Sequence, residues 1–434
     1  MGHRGDVLAQ GWLRWPGVLG SSPWFRYLWL SRTISCTGIG VSQVALVLLA
    51  ARSGPGTVSL VLLCNVAPRL LGPLAGALAD RFDQRRLLAG CETGQGMVFA
   101  VIAAARPPLV GLLPLVAAAG LLATLFSPAG KSSVSRLVPP QALGRANALL
   151  GASFNLQVVA GPAIGGVLAG LAGTTTAFAV NSGSFFASAL LLTRLGPLPP
   201  VRSGPAARPV MLRDTWVGLR YVAATPVLRA LVTSTLVFVS FAAMDNVALV
   251  FLVHRALHGS GSEYGILVAA FGAGMMAASA YLSVRADRRP APTWLLAGIG
   301  AGAAGTVATG LAPTAWAAGL ALAVAGAGNT ADLVGSDTLV QQIVPAAMLG
   351  RAFGTVGAAA QLASGVAYVA AGPLVAAVGP RAALLTAGLG MLSGALILVP
   401  ALRARHTRAS SQQVQSEHRP QRRSVRPARL RERR

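Results

Sequence analysis

Few side chains in this chain could do chemistry, and most of those that could sit where water should be absent. Of its 12 carboxylates, Asp245 and Asp332 fall well inside long apolar stretches. An ionisable group there is costly and usually marks a pathway, a proton relay or an inter-helix pair. Asp245 stands beside Asn246. Asn329, Asp332 and Ser336 recur at intervals of three and four, which places them on one face of a helix; Asp337 lies nearer the end of the same stretch. Arg32 and Arg69 occupy the inner and middle parts of two other apolar stretches. Either can neutralise these acids, and Arg32 is also placed to snorkel. Asn65, Asn155, Gln157 and Gln361 add hydrogen-bonding groups. A purely structural role stays open for each, as a hydrogen-bonded acid near a boundary or a helix-to-helix tie. Glu92, a short way into its stretch, reads as an interfacial acid paired with Arg85 or Arg86.

Ordinary enzyme chemistry has no footing here. No Gly-Lys-Ser/Thr loop is present to cradle phosphate, so ATP is not the direct energy source. His254 and His258 share one short loop, His3, His406 and His418 lie in the tails, and no nucleophile stands beside them. Cys36, Cys64 and Cys91 match no metal or disulfide spacing. No metal or cofactor is implied.

The elements that must position these groups are legible from composition. Charged residues make up 11% of the 434, against roughly 25% in soluble domains, and the mean hydropathy is +0.62. Apolar stretches of about 20 residues, long enough to cross a bilayer, recur near 28–51, 57–79, 87–105, 109–130, 146–172, 174–193, 229–253, 263–284, 293–311, 314–336, 353–378 and 381–402. Lipid leaves helices as the open-ended way to satisfy the backbone. The expected fold is therefore all-α, with twelve transmembrane helices. No cleavable signal peptide is expected, because the first stretch is too long and interrupted for an h-region.

The chain also repeats itself. Val138-Pro139 followed by Leu143-Gly144-Arg145-Ala146 returns as Val344-Pro345 and Leu349-Gly350-Arg351-Ala352, at an offset of 206. Val44-Ala45-Leu46-Val47 returns as Val247-Ala248-Leu249-Val250, offset by 203. Two pseudo-symmetric six-helix bundles follow, over residues 1–197 and 228–403. Parallel repeats of this kind frame a central pathway in many transporters. The linker, 198–227, is rich in Pro and Arg, and Leu212, Trp216, Leu219 and Val222 give it an amphipathic helix for the membrane surface. The tail, 404–434, is arginine-rich, poor in apolar residues and expected to be disordered.

The formal charge of +24 does not point to nucleic acid, because its distribution follows the membrane. With the N-terminus inside, cytoplasmic segments and the tail hold thirty of the 36 basic residues and the outward loops four: Arg52, Arg106, Arg255 and Arg381. That asymmetry places both termini in the cytoplasm. The basic tail fits anionic lipid better than RNA, having no aromatic platform.

Between the second and third stretches runs Gly76-Ala77-Leu78-Ala79-Asp80-Arg81-Phe82-Asp83-Gln84-Arg85-Arg86. This resembles the signature loop of the major facilitator superfamily, Gly-x-Leu-x-Asp-Arg-x-Gly-Arg-Arg. Gly76, Asp80, Arg81 and Arg85 match, while Asp83 stands where glycine is usual and Gln84 where a basic residue is. Gly161-Pro162-Ala163-Ile164-Gly165-Gly166 resembles the superfamily's antiporter motif, although Gln157 replaces its upstream glycine. Ser127-Pro128-Ala129, Leu137-Val138-Pro139, Asn181-Ser182 and Gln341-Gln342 are similar to the bacterial macrolide-efflux and enterobactin-exporter group. The fourth stretch lacks the arginine of the superfamily's proton-antiport drug exporters, so their proton relay does not carry over.

What the resemblance implies is a secondary active transporter of the cell inner membrane, exporting amphipathic organic molecules by alternating access and driven by the proton gradient. Gly76, Asp80, Arg81 and Arg85 would gate the cytoplasmic side. Gly161, Pro162, Gly165 and Gly166 would bend the fifth helix. Arg32, Asn65, Arg69, Gln157, Asp245, Asn246, Asn329 and Asp332 would meet cargo or protons, in a monomer whose other partners are membrane lipids. The repeat pairs Lys131 with Asp337, either as a second gate contact or with Lys131 as one more positive-inside anchor. The alternatives are a lipid or lysophospholipid translocator on the same fold, and a transport-inactive scaffold or sensor.

Overall fold

A computed structural model describes residues 22–72, 75, 82–139, 142–199, 219–285, 288–345 and 348–417. Gly76, Asp80 and Arg81 of the signature loop, most of the amphipathic linker helix and the end of the tail lie outside them. The helices are α1 (Pro23–Ala51), α2 (Pro55–Val66), α3 (Gln84–Ala105), α4 (Leu109–Leu137), α5 (Leu143–Leu171) and α6 (Gly173–Leu192). The second half follows with α7 (Pro226–Ala256), α8 (Gly261–Arg285), α9 (Ala291–Leu311) and α10 (Ala315–Ile343). One last helical run, Leu349–Glu417, is broken at Gly379, whose φ of 80° is a left-handed value that glycine adopts freely. It forms two membrane helices, α11 (349–378) and α12 (380–417). Pro380 then restarts the chain at a position where its missing N–H does no harm.

Ten helical runs are long and apolar enough to cross a bilayer. The broken run supplies two crossings, and α2 is the shorter apolar helix that completes twelve. It tightens into a 3-10 turn over Ala67–Leu71 around Pro68. The last helix also continues to Glu417, so the first part of the tail is helical rather than disordered. Once a span has paid for nucleation, each further residue adds a hydrogen bond at little entropic loss.

Side-chain caps set several starts. Ser22 accepts from the Phe25 N–H at 3.3 Å, with Pro23 as the first helical residue. Thr314 does the same for α10. Asp83, the residue that replaces the loop glycine, is the N-cap of α3 and accepts from the Arg86 N–H at 2.9 Å. Its charge also sits favourably at the positive end of the helix dipole.

The two halves pack in the same pattern. α1 lies against α5 and α6, and α3 against α4 and α6; correspondingly α7 lies against α12, and α9 against α10 and α12. Membrane helices close on small residues because lipid provides no hydrophobic drive between them. A Cβ on Gly161 would come within 2.6 Å of the Gly40 Cα, and one on Gly165 within 2.5 Å of the Val41 carbonyl. Between the halves, α5 meets α8 and α2 meets α11, again a symmetry-related pair.

Candidate functional site

The close contacts that glycines allow between the bundles run from the middle of the membrane to one face. In α5 and α8 they run from Val158 against Gly272 to Gly170 against Ser262, with Gly166 against Gly265 between them. In α2 and α11, Gly56 and Ser59 face Gly372. Val158 and Gly272 stand near the midpoints of their helices, the others lie towards the ends remote from the basic linker and tail, and the last helical run also meets the Ala67–Leu71 turn. Towards the other ends of α5 and α11, Gly151, Gly354 and Gly357 meet nothing within 4 Å. Among the described residues, the glycine-mediated close packing between the bundles therefore lies from mid-membrane to the face remote from the linker.

The other side holds a cavity of about 590 Å³, within the span of about 300–1,000 Å³ usual for small-molecule sites. Phe99, Phe126, Phe154 and Phe185 give it an aromatic wall. Ser42, Gln43, Asn65, Gln95, Gln157 and Gln361 supply hydrogen-bonding groups. Its charged lining is Arg32, Arg69, Lys131 and Glu92. Apart from Gln361, every lining residue comes from the first bundle.

The wall is braced by hydrogen bonds within that bundle. Asn181 of α6 is fully buried and donates to the Ser42 hydroxyl at 2.8 Å. Thr33 and Ser153 tie α1 to α5 at 2.7 Å, and Ser31 and Ser188 tie α1 to α6 at 2.6 Å. Phe99 stacks on Phe185, 5.8 Å between ring centres. Arg69 donates to the Asn65 side chain at 3.4 Å, and the Arg32 guanidinium lies 4.8 Å from the centre of the Phe126 ring.

Of the residues singled out from sequence, Arg32, Asn65, Arg69 and Gln157 meet at this cavity, and Lys131 stands at its rim. Asp245, Asn246, Asn329 and Asp332 are not among its lining. Asp245 faces α9 instead: Thr306 donates to its Oδ2 at 3.0 Å, and its buried Oδ1 has no partner among the described residues. Asp332 is half-buried, with its backbone against Gly298 of α9. Asp337 lies on the same helix as Asp332. Arg85 donates to the Thr193 carbonyl at the end of α6, an anchor within its own bundle. The glycines expected to bend α5 act as packing faces: Gly161 and Gly165 admit α1, Gly166 admits α8, and the helix runs unbroken through Pro162.

Glu92 corrects the sequence expectation. It is 1% exposed, not interfacial, and it lies on the cavity wall away from Arg85 and Arg86. Arg32 is the cation whose field reaches it, and the Ser35 and Ser188 hydroxyls flank it. Its Oε2 has no hydrogen-bond partner among the described residues. The available signal was its position eight residues after Gln84, two turns inside the helix rather than at its end.

A duplicated bundle of twelve membrane helices around a cavity open to one side is the architecture of a secondary transporter. The model of one family, described as transmembrane secretion effector, matches residues 21–429, and the chain belongs to that family of the major facilitator superfamily. It is a transporter and not an enzyme. It is 28% identical to the MFS-type transporter YfiS of Bacillus subtilis (strain 168), over 77% of this chain and 82% of that one. It is 29% identical to the enterobactin exporter EntS of Shigella flexneri, over 52% of this chain and 56% of the relative. With the multidrug efflux pump Tap of Mycolicibacterium fortuitum it shares 32% identity, over 41% and 46%. The chain thus spans about half the length of these two exporters. Among solved structures, a peptide transporter POT in complex with alafosfalin superposes with a TM-score of 0.73 at 14% identity, covering 89% of this chain and 96% of that one. A bacterial homologue of the human lysosomal transporter Spinster, inward-facing and unoccupied, superposes with a TM-score of 0.65 at 17% identity, covering 87% and 95%. These two likenesses show the fold.

Proposed function

We propose that the protein exports amphipathic organic molecules across the cell inner membrane by alternating access, driven by the proton-motive force. The observation that carries this reading is the one-sided cavity: aromatic and polar, sized for a drug-like molecule, and closed on its far side by the α5–α8 and α2–α11 contacts. Both termini are cytoplasmic in this reading, so the cavity faces the cytoplasm. The bundles of residues 1–197 and 228–403 rock about it. Efflux-type relatives support export rather than uptake. The proton gradient enters as the energy source because the chain carries no nucleotide-binding loop.

The test is a drug- and metabolite-susceptibility panel in a host lacking its own pumps, carrying this chain or its Asp80→Ala variant. Compounds that score then go into proteoliposomes with an imposed proton gradient. Protection by the parent chain alone, with gradient-dependent movement of the same compound, is the expected result. Absence of any cargo movement would make the protein a scaffold or sensor, and lysophospholipid flipping without movement of soluble compounds would make it a lipid translocator.

A further inference from the structure

We infer that the cargo carries an anionic group on an aromatic or apolar body, and that Arg32 is the residue that selects it. This rests on the transport reading above and adds the sign of the cargo's charge. The two intramembrane acids that would have received a cationic cargo, Asp245 and Asp332, are not on the cavity wall. The described lining holds three cations, Arg32, Arg69 and Lys131, against the single acid Glu92. No carboxylate lies within 4.0 Å of any of the three among the described residues. An electropositive, largely apolar enclosure attracts the opposite charge and rejects its own.

Arg32 is placed to do the selecting. It is half-buried, and its guanidinium is packed beside Phe126, so its donors are pre-oriented and poorly hydrated. That suits a carboxylate or similar planar anion better than a mobile ammonium would. Phe154, exposed on the same lining, would take the body of the cargo, while the buried rings of Phe99, Phe126 and Phe185 keep the wall apolar. Arg69 and Lys131 are exposed at the rim, where they steer an anion inwards. Glu92, within the field of Arg32, competes with the cargo for that cation and keeps the empty cavity from holding its anion too tightly. Export of an anion has a further advantage: the inside-negative membrane potential itself pulls it outward.

The test uses three matched probes, 2-naphthoate, 2-naphthamide and 2-naphthylmethylammonium, titrated calorimetrically into the full chain in nanodiscs of zwitterionic lipid, with empty discs as the blank. The parent should bind naphthoate about tenfold to a hundredfold more tightly than either of the others. Arg32→Gln should abolish that preference, while Glu92→Gln should strengthen naphthoate binding. Opposite signs at two neighbouring sites separate charge selection from loss of fold, and the exposed Lys131→Gln should mainly slow association. Equal binding of the three probes, preference for the ammonium, no binding at all, or an Arg32→Gln variant that keeps the preference would each overturn the inference. Equal or cation-preferring binding with intact cargo movement in proteoliposomes would leave the transport reading standing. Anion-selective binding without any movement would do the reverse.

Discussion

The carbonyl oxygen of Val158 in α5 lies 2.6 Å from where a Cβ on Gly272 of α8 would be. That carbonyl is free of the helix ladder because its partner four residues on is Pro162, which has no N–H. A motif expected to bend one helix instead presents an acceptor that lacks its usual donor four residues on, across the bundle interface, to a backbone that has no side chain. The Pro162 carbonyl meets Gly265 in the same way, 2.5 Å from its Cβ position. Closure of this face therefore depends on two glycines in α8 as much as on the proline in α5.

Gly265→Ala and Gly272→Ala should each force the closed face apart. Overpacking costs about 1–3 kcal/mol; if that falls on the closed state alone, the equilibrium moves about 5- to 150-fold towards opening there. Spin labels at the far ends of α5 and α8 should report a longer distance population. Unchanged distances would show that the interface absorbs a methyl group without cost.

Gly161→Ala gives the matching control. Its Cβ would strike Gly40 inside the first bundle, so the penalty falls on both access states alike. Thermal stability should drop by the equivalent of about 1–3 kcal/mol, with the spin-label distances unaltered. A shift between states without destabilisation would contradict this division of α5 into two faces.

Thr306→Val should strand the Oδ2 of Asp245 as well, because that oxygen accepts from the threonine while Oδ1 already has no partner among the described residues. The expected loss is about 1–3 kcal/mol, read as earlier thermal unfolding of the purified protein. Because Asp245 is off the cavity wall, probe binding should persist in the folded fraction. Weakened binding at full stability would place the acid in the cargo path after all.

Asp83→Ala should remove the cap of α3 at a cost of about 0.5–2 kcal/mol. Faster amide exchange over the first turn of α3, around Arg86 and Leu87, is the signature to look for. Protection equal to the parent's would mean that another group has taken over the cap.

Sequence made the helices readable because burial in lipid is written in hydropathy, and the repeat at Pro139 and Pro345 made their duplication readable too. What it did not carry was the rotation of each helix about its axis. A helix apolar on every side has no stripe to say which face meets the cavity, so Asp245 and Asp332 looked equivalent to Arg32 and Gln157. Glu92 was misjudged for a related reason. Its true neighbour, Arg32, is distant in sequence, whereas Arg85 and Arg86 are about two turns away on the same helix. Asp83 appeared only as a departure from a family pattern, although its place three residues before Arg86 is that of a helix cap. The signature-loop residues Gly76, Asp80 and Arg81 remain a reading of sequence. Asp80→Asn should lower turnover while leaving membrane insertion and probe binding intact, and normal turnover would remove its gating role.

The central claim, that cargo moves because the α5–α8 face opens and closes, is tested most directly by locking that face. The Cβ position of Gly170 lies 3.7 Å from the Ser262 Cβ, close to the mean of about 3.8 Å for a disulfide. Gly170→Cys and Ser262→Cys are introduced together after Cys36, Cys64 and Cys91 are replaced, and cargo efflux is measured before and after oxidation. Oxidation should stop efflux, the cavity should stay open to a thiol reagent from the cytoplasmic side through a probe cysteine at Gln157, and reduction should restore transport. Efflux continuing at the parent rate with the disulfide fully formed would contradict it.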